Sequence, residues 1–195
     1  MSKKQEQKEA TRRRMLDAAG RTFREHGFDG IGVDGIAKQA EATSGAFYAH
    51  FGSKSGAFDA ALDAGLDEVI ERLPEFRATH GVGWVQAFAD YYLGRAHRDD
   101  RACGCAMTAL SPDVVRAGPE TRARYEANMQ RIADIISDGL AGDQVEDRQA
   151  RAWAMLSALI GGLTLARAVA DQKTADNIAG SAHAAALAAA GPARA

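Results

Sequence analysis

The chain has 195 residues, of which 46% are hydrophobic, and its formal net charge is -2. This length suffices for one or two domains with a buried core, and the near-neutral charge excludes a chain that is basic throughout. With only 4 Pro and no alternating β-type run, the composition predicts an all-α fold. The start of the sequence is polar and charged, so we expect no secretory signal and a cytoplasmic location.

Charge is distributed unevenly along the chain. Residues 1–54 carry ten Lys and Arg against seven Asp and Glu, whereas residues 55–195 carry fourteen against nineteen. A mildly basic N-terminal part on an acidic body is the pattern of a DNA-binding head joined to a body that does not bind DNA. A difference of this size also arises by chance.

An amphipathic helix is predicted over residues 9–26, whereas residues 1–8 are expected to fray. Gly27 supplies a C-terminal stop. The apolar face of this helix repeats at helical spacing and consists of Met15, Leu16, Ala19 and Phe23. Three consecutive arginines at residues 12–14 point in three directions, so at most one or two of them face any one partner. A solvated face and phosphate contact are both open for them.

Two short helices joined by a tight turn follow, at about residues 33–40 and 44–50. Thr43 is a suitable N-cap for the second of them, because its hydroxyl accepts from a backbone N–H two or three residues on. That helix is short, so its stability depends on the packing of Phe47 and Phe51 rather than on helix propensity. Small and polar residues at its tip suit entry into a DNA groove, and the pair predicts a helix-turn-helix motif.

Four sequence elements of this region resemble the TetR family of bacterial transcriptional regulators. They are the segment MLDAAGRTFREHGF, the pair Ile36-Ala37, the run SGAFYAHF and Lys54. The resemblance covers about residues 9–60 and implies a homodimer on double-stranded operator DNA, with the SGAFYAHF helix of each subunit in successive major grooves. It also implies DNA contacts from Thr43, Ser44, Gly45, Ala46, Tyr48, His50 and Lys54.

Several positions depart from the family pattern. The turn between the two short helices has Glu41 where the family usually has Gly, and a Glu held at a positive φ is strained by about 1 kcal/mol. Gly32 offers no hydroxyl where the family usually has a Ser or Thr cap, and Ala49 replaces a larger side chain. We therefore expect few direct base contacts and an operator read partly through DNA shape. A dimeric helical module that has lost DNA binding is the alternative that these departures leave open.

The rest of the chain is predicted to be helical as well. The architecture is therefore a three-helix head at residues 9–60, with its motif at about residues 33–51, and a helical ligand-binding and dimerisation domain at residues 61–195. Pro74 is expected to end the helix that begins at Lys54. Further helices are predicted at residues 82–97, 104–110, 119–140, 145–170 and 174–190, with Thr174 as the cap of the last and an extra turn after Ser111-Pro112-Asp113.

Aromatic and Met side chains of the second part are candidates for the lining of an effector pocket. They are Trp84, Phe88, Tyr91, Tyr92, Met107, Tyr125, Met129 and Trp153. The same side chains at helical spacing equally suit an ordinary core. Few charged groups share these helix faces, so an apolar or aromatic small molecule is the expected effector.

The last two helices are rich in Ala and Gly, which lets helices approach closely. The family resemblance implies that these helices of both subunits form a four-helix dimer interface, and packing within one chain is the alternative.

The most apolar run, at residues 153–169, is slightly short for a bilayer span and is flanked by Arg151 and Asp171. We expect it to be a buried helix, and we expect no membrane partner.

Cys103 and Cys105 are too few for a disulfide framework. They are predicted to lie at the start of a short helix near Arg98 and Arg101, where a helix N-terminus and cations lower a thiol pKa. The family resemblance implies a possible thiol sensor, released by an electrophile or oxidant, and Cys105 fits that position better than Cys103. Two unreactive cysteines, a thiol enzyme and a metal-binding protein are the alternatives. No catalytic constellation supports an enzyme, and no metal or cofactor is expected.

Overall fold

The computed structural model describes residues 2–102 and 104–192, and within these ranges the chain is helical with no strand. The all-α class predicted from the sequence is confirmed. The α-helices are α1 (Lys3–His26), α2 (Val33–Gln39), α3 (Ser44–Phe51), α4 (Lys54–His80), α5 (Trp84–Leu93), α6 (Arg95–Asp99), α7 (Ala106–Ala109), α8 (Ser111–Arg116), α9 (Pro119–Gly139), α10 (Val145–Ala168) and α11 (Gln172–Ala190). A short 3-10 helix at Gly81–Gly83 joins α4 to α5.

The head consists of α1, α2 and α3 packed against the beginning of α4. Its centre is apolar, with Met15, Ile36 and Phe47 fully buried. Phe23 of α1 meets Phe58 of α4 edge to face, with 5.3 Å between the ring centroids. The long helix α4 therefore belongs to the core of the head and continues from there into the body.

The body is built around α4, α9 and the antiparallel pair of α10 and α11. The last two helices cross very closely, because a Cβ on Gly162 would lie 2.2 Å from the Cβ of Ala182. Only a residue without a side chain fits at that crossing. None of the helices within the described ranges has the length and apolarity that a membrane span requires.

The expected fraying of residues 1–8 is wrong, because α1 begins at Lys3. Ser2 is its N-cap and accepts from the backbone N–H of Gln5 at 3.3 Å. Gln5 in turn donates its side-chain amide to Glu9 one turn later, at 3.0 Å. A capped first turn with such a side-chain pair stabilises the two turns that were expected to be disordered.

Pro74 does not end α4, which continues to His80. Proline removes one backbone N–H from the helical ladder, but contacts beyond it hold the next turn in place. The ring of Phe76 lies 5.5 Å from that of Phe88, centroid to centroid. Arg77 donates to the carbonyl oxygen of Ile135, at 3.4 Å. Tertiary packing on α5 and α9 thus outweighs the local signal.

Three other helix boundaries differ from the prediction. The helix predicted over residues 82–97 is broken at Gly94, which has an extended ψ of 152°. The helix predicted from residue 104 begins only at α7, after Cys105. The cap of α11 is Asp171, whose carboxylate accepts from the backbone N–H of Thr174 at 2.7 Å, so Thr174 lies inside the first turn.

Candidate functional site

The exposed side of α3 is formed by Gly45, Tyr48 and Ala49. Tyr48 is 52% exposed, and its ring packs edge-on against that of Phe47, which is fully buried. Thr43 caps the helix as predicted, accepting from the N–H of Ala46 at 3.2 Å. One side of α3 therefore anchors it in the head, and the other side presents Tyr48 to a partner.

Not all predicted contact residues at the tip of α3 are equally available. The hydroxyl of Ser44 donates to the carboxylate of Asp34 in α2, so its proton is already engaged. Ala46 is half-buried and packs against the core, whereas Ala49, which was not predicted, is exposed. A Cβ on Gly45 would come no closer than 3.9 Å to any side chain in the described part of the chain. The fold of the chain therefore does not require glycine at this position, and a requirement for glycine would have to come from a bound partner such as DNA.

Lys54 and His50 lie at the far end of α3. The ammonium group of Lys54, the first residue of α4, lies over the ring of Phe28 at 4.5 Å from the centroid. This cation–π contact holds the charge at the surface of the head. Burial lowers the pKa of His50, and the positive charges of Lys8 and Arg12 lower it further. His50 is therefore neutral at neutral pH in the free protein.

Lys8 and Arg12 of α1 are cations near this face. The sequence left phosphate contact open for Arg12 and did not reveal Lys8. Both act on the pKa of His50, and the guanidinium of Arg12 lies 5.5 Å from the ring centroid of Phe51. Because α1 begins at Lys3, the two residues are one turn apart on the same side of a continuous helix. The four-residue spacing of Lys8 and Arg12 indicates that both lie on one face of a helix. This face was not predicted from the sequence, because residues 1–8 were expected to fray.

A cavity of about 70 Å³ lies in the body between α4, α5 and residues 104–105. Its apolar wall consists of Val69 and of four aromatic rings, contributed by Phe76, Phe88, Tyr91 and Tyr92. Its polar wall consists of Glu68, Arg72, His97 and Cys105. The mixture of aromatic rings and a few convergent polar groups is typical of a small-molecule site.

Hydrogen bonds join Tyr92, His97 and the backbone of Cys105 at this cavity. The hydroxyl of Tyr92 lies 2.8 Å from that of Thr108, and burial raises the tyrosine pKa well above its ordinary value. His97 Nε2 accepts from the backbone N–H of Cys105 at 3.3 Å, so Nδ1 carries the proton and donates to the carbonyl oxygen of Tyr92 at 2.6 Å. Burial lowers the pKa of His97, which keeps the ring neutral.

Comparison with known proteins identifies the two parts of the chain. Residues 15–61 match the family described as bacterial regulatory proteins, tetR family. Residues 82–181 match the C-terminal domain of LmrA/YxaF-like transcriptional regulators. The chain belongs to the TetR family. Members of this family are helix-turn-helix regulators of transcription and not enzymes, so the alternative of a thiol enzyme is wrong.

Individual TetR-family proteins resemble the chain at moderate identity. The repressor SCO4008 of Streptomyces coelicolor is 31% identical over 84 residues, and this match spans 43% of each protein. The repressor NemR of Escherichia coli is 24% identical over 133 residues, 67% of each protein. The structure of reduced NemR from Escherichia coli matches with a TM-score of 0.73 at 19% identity, covering 88% of this chain and 94% of that one. SCO4454 of Streptomyces coelicolor matches with a TM-score of 0.76 at 21% identity, covering 93% and 95%.

The predicted ligand-binding residues of this TetR-family chain separate into groups. Phe88, Tyr91 and Tyr92 line the cavity, whereas Trp84 lines a different, open groove of about 720 Å³. The other predicted residues do not line the cavity: Met107 and Met129 are buried in the core, Trp153 packs partly buried against it, and the Tyr125 hydroxyl lies 2.7 Å from that of Ser111. The expectation of few charged groups is also wrong, because α4 contributes Glu68 and Arg72.

The predicted reason for a reactive thiol is wrong. Burial raises the pKa of the Cys105 thiol, although the charge of Arg24 opposes this. Arg98, expected to lie beside the thiol, instead forms an ion pair with Asp176. Cys103 lies outside the described residues. Within those residues, no group of three or more His, Cys, Asp or Glu side chains is placed to hold a metal ion.

Proposed function

We propose that the chain is a homodimeric, ligand-responsive transcriptional repressor that binds a palindromic operator through α3. The observation that carries this proposal is the exposed α3 face around Tyr48, bordered by the cations Lys8, Arg12 and Lys54. An aromatic hydroxyl among cations suits phosphate oxygens on either side of a major groove. The relatives SCO4008 and NemR are both called transcriptional repressors, which supports repression rather than activation. Such a regulator acts in the cytoplasm.

The head, at residues 9–60, divides its contacts between backbone and bases. Tyr48 donates to a phosphate oxygen, and His50 does so once DNA is near. Lys54 pairs with phosphate by moving from the ring of Phe28. Base edges are read at the start of the helix, where the exposed small residues permit close approach. The exposed residues in this second role are Thr43, Gly45 and Ala49, whereas Ser44 and Ala46, predicted for the same role, are half-buried beside them.

The body, at residues 61–195, supplies the second subunit contact and the effector site. An unpartnered face of α10 carries Leu165, which is 58% exposed, and Gly161, around which a Cβ would meet nothing within 4 Å. We assign this face of α10, together with α11, to a four-helix dimer interface.

The effector is a small aromatic molecule in the cavity beside Tyr92. Release by an electrophile at Cys105 requires a movement that exposes the thiol.

The operator is found by selecting duplexes from a random pool with the full chain, and affinity is then measured by fluorescence anisotropy. Replacing Lys8 and Arg12 together by Gln should weaken operator binding at least tenfold. It should also reduce the slope of log affinity against log salt by about 1 per lost phosphate contact. Arg122→Gln, which removes one charge from the exposed surface of α9, is the matched control and should leave the slope unchanged.

The same experiment decides between a repressor and a helical module that no longer binds DNA. A folded dimer that enriches no duplex at low or high salt contradicts the proposal. So does an equal loss of affinity in the Arg122→Gln control, because binding would then depend on total charge rather than on the α3 face. Tyr48→Phe adds a finer test, since loss of the hydroxyl alone should weaken binding severalfold.

A further inference from the structure

Arg24 of α1 is a buried cation with too few partners. Its side chain is only 10% exposed, yet its Nε makes no hydrogen bond within the described part of the chain. Its ion pair is with Glu68, whose Oε2 lies 4.0 Å from Nη2, beyond hydrogen-bond distance, and whose side chain is 61% exposed. A guanidinium removed from water ordinarily satisfies its donors with carboxylates or carbonyls. The Nε donor of Arg24 therefore lacks an acceptor within the described residues, and its weakly held guanidinium suits an anion that these residues do not supply.

This guanidinium lies at the wall of the cavity. A Cβ on Gly65, which lines the cavity, would lie 2.6 Å from Arg24 Nη2 and 2.6 Å from the Cβ of Ala106. The absence of a side chain at Gly65 is what lets Arg24 reach between α4 and α7. Glu68, its partner, also lines the cavity, and the charge of Arg24 acts on the thiol of Cys105. Arg24 thus borders the cavity on the side of the head.

The charge around the cavity is positive on balance. Arg72 lines it, and Nη2 of Arg167 lies 2.6 Å from the position of a Cβ on Gly104. Together with Arg24 these are three guanidiniums, against the carboxylate of Glu68. Tyr92, His97 and Cys105 are neutral. The remaining wall is mainly aromatic, with Val69 and two glycines beside the rings.

We propose that this cavity binds an aromatic carboxylate, whose carboxylate group pairs with the Arg24 guanidinium while its ring lies among Phe76, Phe88 and Tyr92. A planar guanidinium fork matches a carboxylate in charge and geometry. The cavity of about 70 Å³ is far below the roughly 300 Å³ of common ligand sites, so even a one-ring ligand must separate α4 from its neighbours.

Arg24 also connects the ligand to the head. It lies three residues before Gly27, where α1 ends. A ligand that draws on Arg24 and displaces α4 acts on two helices of the head at once, which alters the position of α3. This step rests on the proposed repressor function, whereas binding of the carboxylate does not.

The test is titration calorimetry on the full chain without DNA, with benzoate and 1-naphthoate against benzamide, 1-naphthamide and benzylamine. The carboxylates should bind at least tenfold more tightly than the amides, and benzylamine should not bind. Arg24→Gln should abolish the preference for the carboxylates, and Arg24→Lys should restore part of it. The exposed Arg21→Gln on the same helix is the matched control and should bind as the unmodified chain does.

Equal affinities for carboxylates and amides, or an unchanged preference in Arg24→Gln, overturn the proposal. If circular dichroism shows that Arg24→Gln is unfolded, Glu68→Gln provides the second variant. Removal of that competing carboxylate should tighten benzoate binding severalfold, and weaker binding contradicts the proposal.

Addition of the same ligands to the operator complex then tests the regulatory step, since release by benzoate and not by benzamide is expected. Failure to find any operator contradicts only the proposed repressor function. The calorimetric result remains a test of carboxylate binding.

Discussion

Glu41 is the residue whose backbone departs furthest from what its side chain favours. It has a φ of 52°, in the left-handed region, in the turn between α2 and α3. The N–H of Ala42 bonds to the carbonyl of Ala37 at 2.9 Å, and that of Glu41 to the carbonyl of Lys38 at 3.1 Å. These are the two bonds of a Schellman motif, whose left-handed position usually holds glycine.

Glu41→Gly should therefore raise the free energy of unfolding by about 1 kcal/mol. The side chain of Glu41 is 88% exposed and makes only a 3.9 Å ion pair with Arg14, so little is lost with it. Urea unfolding followed by circular dichroism measures the change. Glu126→Gly, at an exposed position inside α9, is the matched control and should instead lower stability by about 1 kcal/mol. A loss of stability in both variants would show that the turn is not strained.

His50 should make operator binding depend on pH. Burial and the charges of Lys8 and Arg12 hold its pKa below the ordinary value of about 6.5, so the free protein leaves it neutral above that pH. Phosphate oxygens favour the charged ring and raise its pKa on binding. Binding then takes up a proton, and the dissociation constant should fall as the pH is lowered from about 7.5 to 6.

Fluorescence anisotropy at a series of pH values measures this dependence. His50→Gln should show a flatter profile, whereas His80→Gln, at the far end of α4, should keep the original one. An identical profile in His50→Gln would exclude His50 from the DNA contact.

The close crossing of α10 and α11 is decided by one glycine. Gly162 is buried against Ala182, whereas a Cβ on the adjacent Gly161 would have no neighbour within 4 Å among the described residues. The two helices can approach because one side of their contact has no side chain. The two adjacent glycines of α10 therefore have different surroundings, since Gly162 packs within the chain and Gly161 remains open. The sequence alone does not distinguish them.

Gly162→Ala should destabilise the chain by about 1–3 kcal/mol, because the new methyl group forces α10 and α11 apart. Thermal and urea unfolding measure the loss. The control exchanges the two residues: Gly162→Ala combined with Ala182→Gly restores the room at the crossing and should recover most of the stability. A fully stable Gly162→Ala variant, or no recovery in the double variant, contradicts the packing described for these helices.

At the scale of the whole molecule, we predict a dimer in which the exposed side of α10 contacts the second subunit. Leu165 is a large apolar side chain that is 58% exposed, on a helix whose opposite side packs against the body. Leu165→Glu should convert the dimer to a monomer, because a carboxylate cannot be buried in an apolar contact without a partner. Sedimentation equilibrium measures the mass.

Val115→Glu is the matched control for the dimer. Val115 of α8 is 75% exposed, so its replacement tests whether any new surface charge separates the subunits. We expect it to remain a dimer. A monomer in both variants, or a dimer in Leu165→Glu, would move the interface away from this face.

Local chemistry in the sequence predicted much of the secondary structure. Thr43 caps α3, and Pro119 begins α9 as predicted. In each case a side chain acts on backbone groups within one turn, so the sequence alone carries the signal. Pro74 and Gly94 show the limit of such signals. α4 passes through the proline because Phe76 and Arg77 pack on other helices, whereas the helix predicted over residues 82–97 breaks at Gly94.

The sequence by itself determined the helical class and the helix-turn-helix, because periodic apolar residues and caps act over a few residues. The cations beside His50 and the charged wall of the cavity required the tertiary structure. Arg24, Glu68 and Arg167 come from three helices separated along the chain by up to 143 positions, and only packing brings them to one cavity. Burial also raises the pKa of the Cys105 thiol, and this desolvation depends on surroundings that no local pattern records.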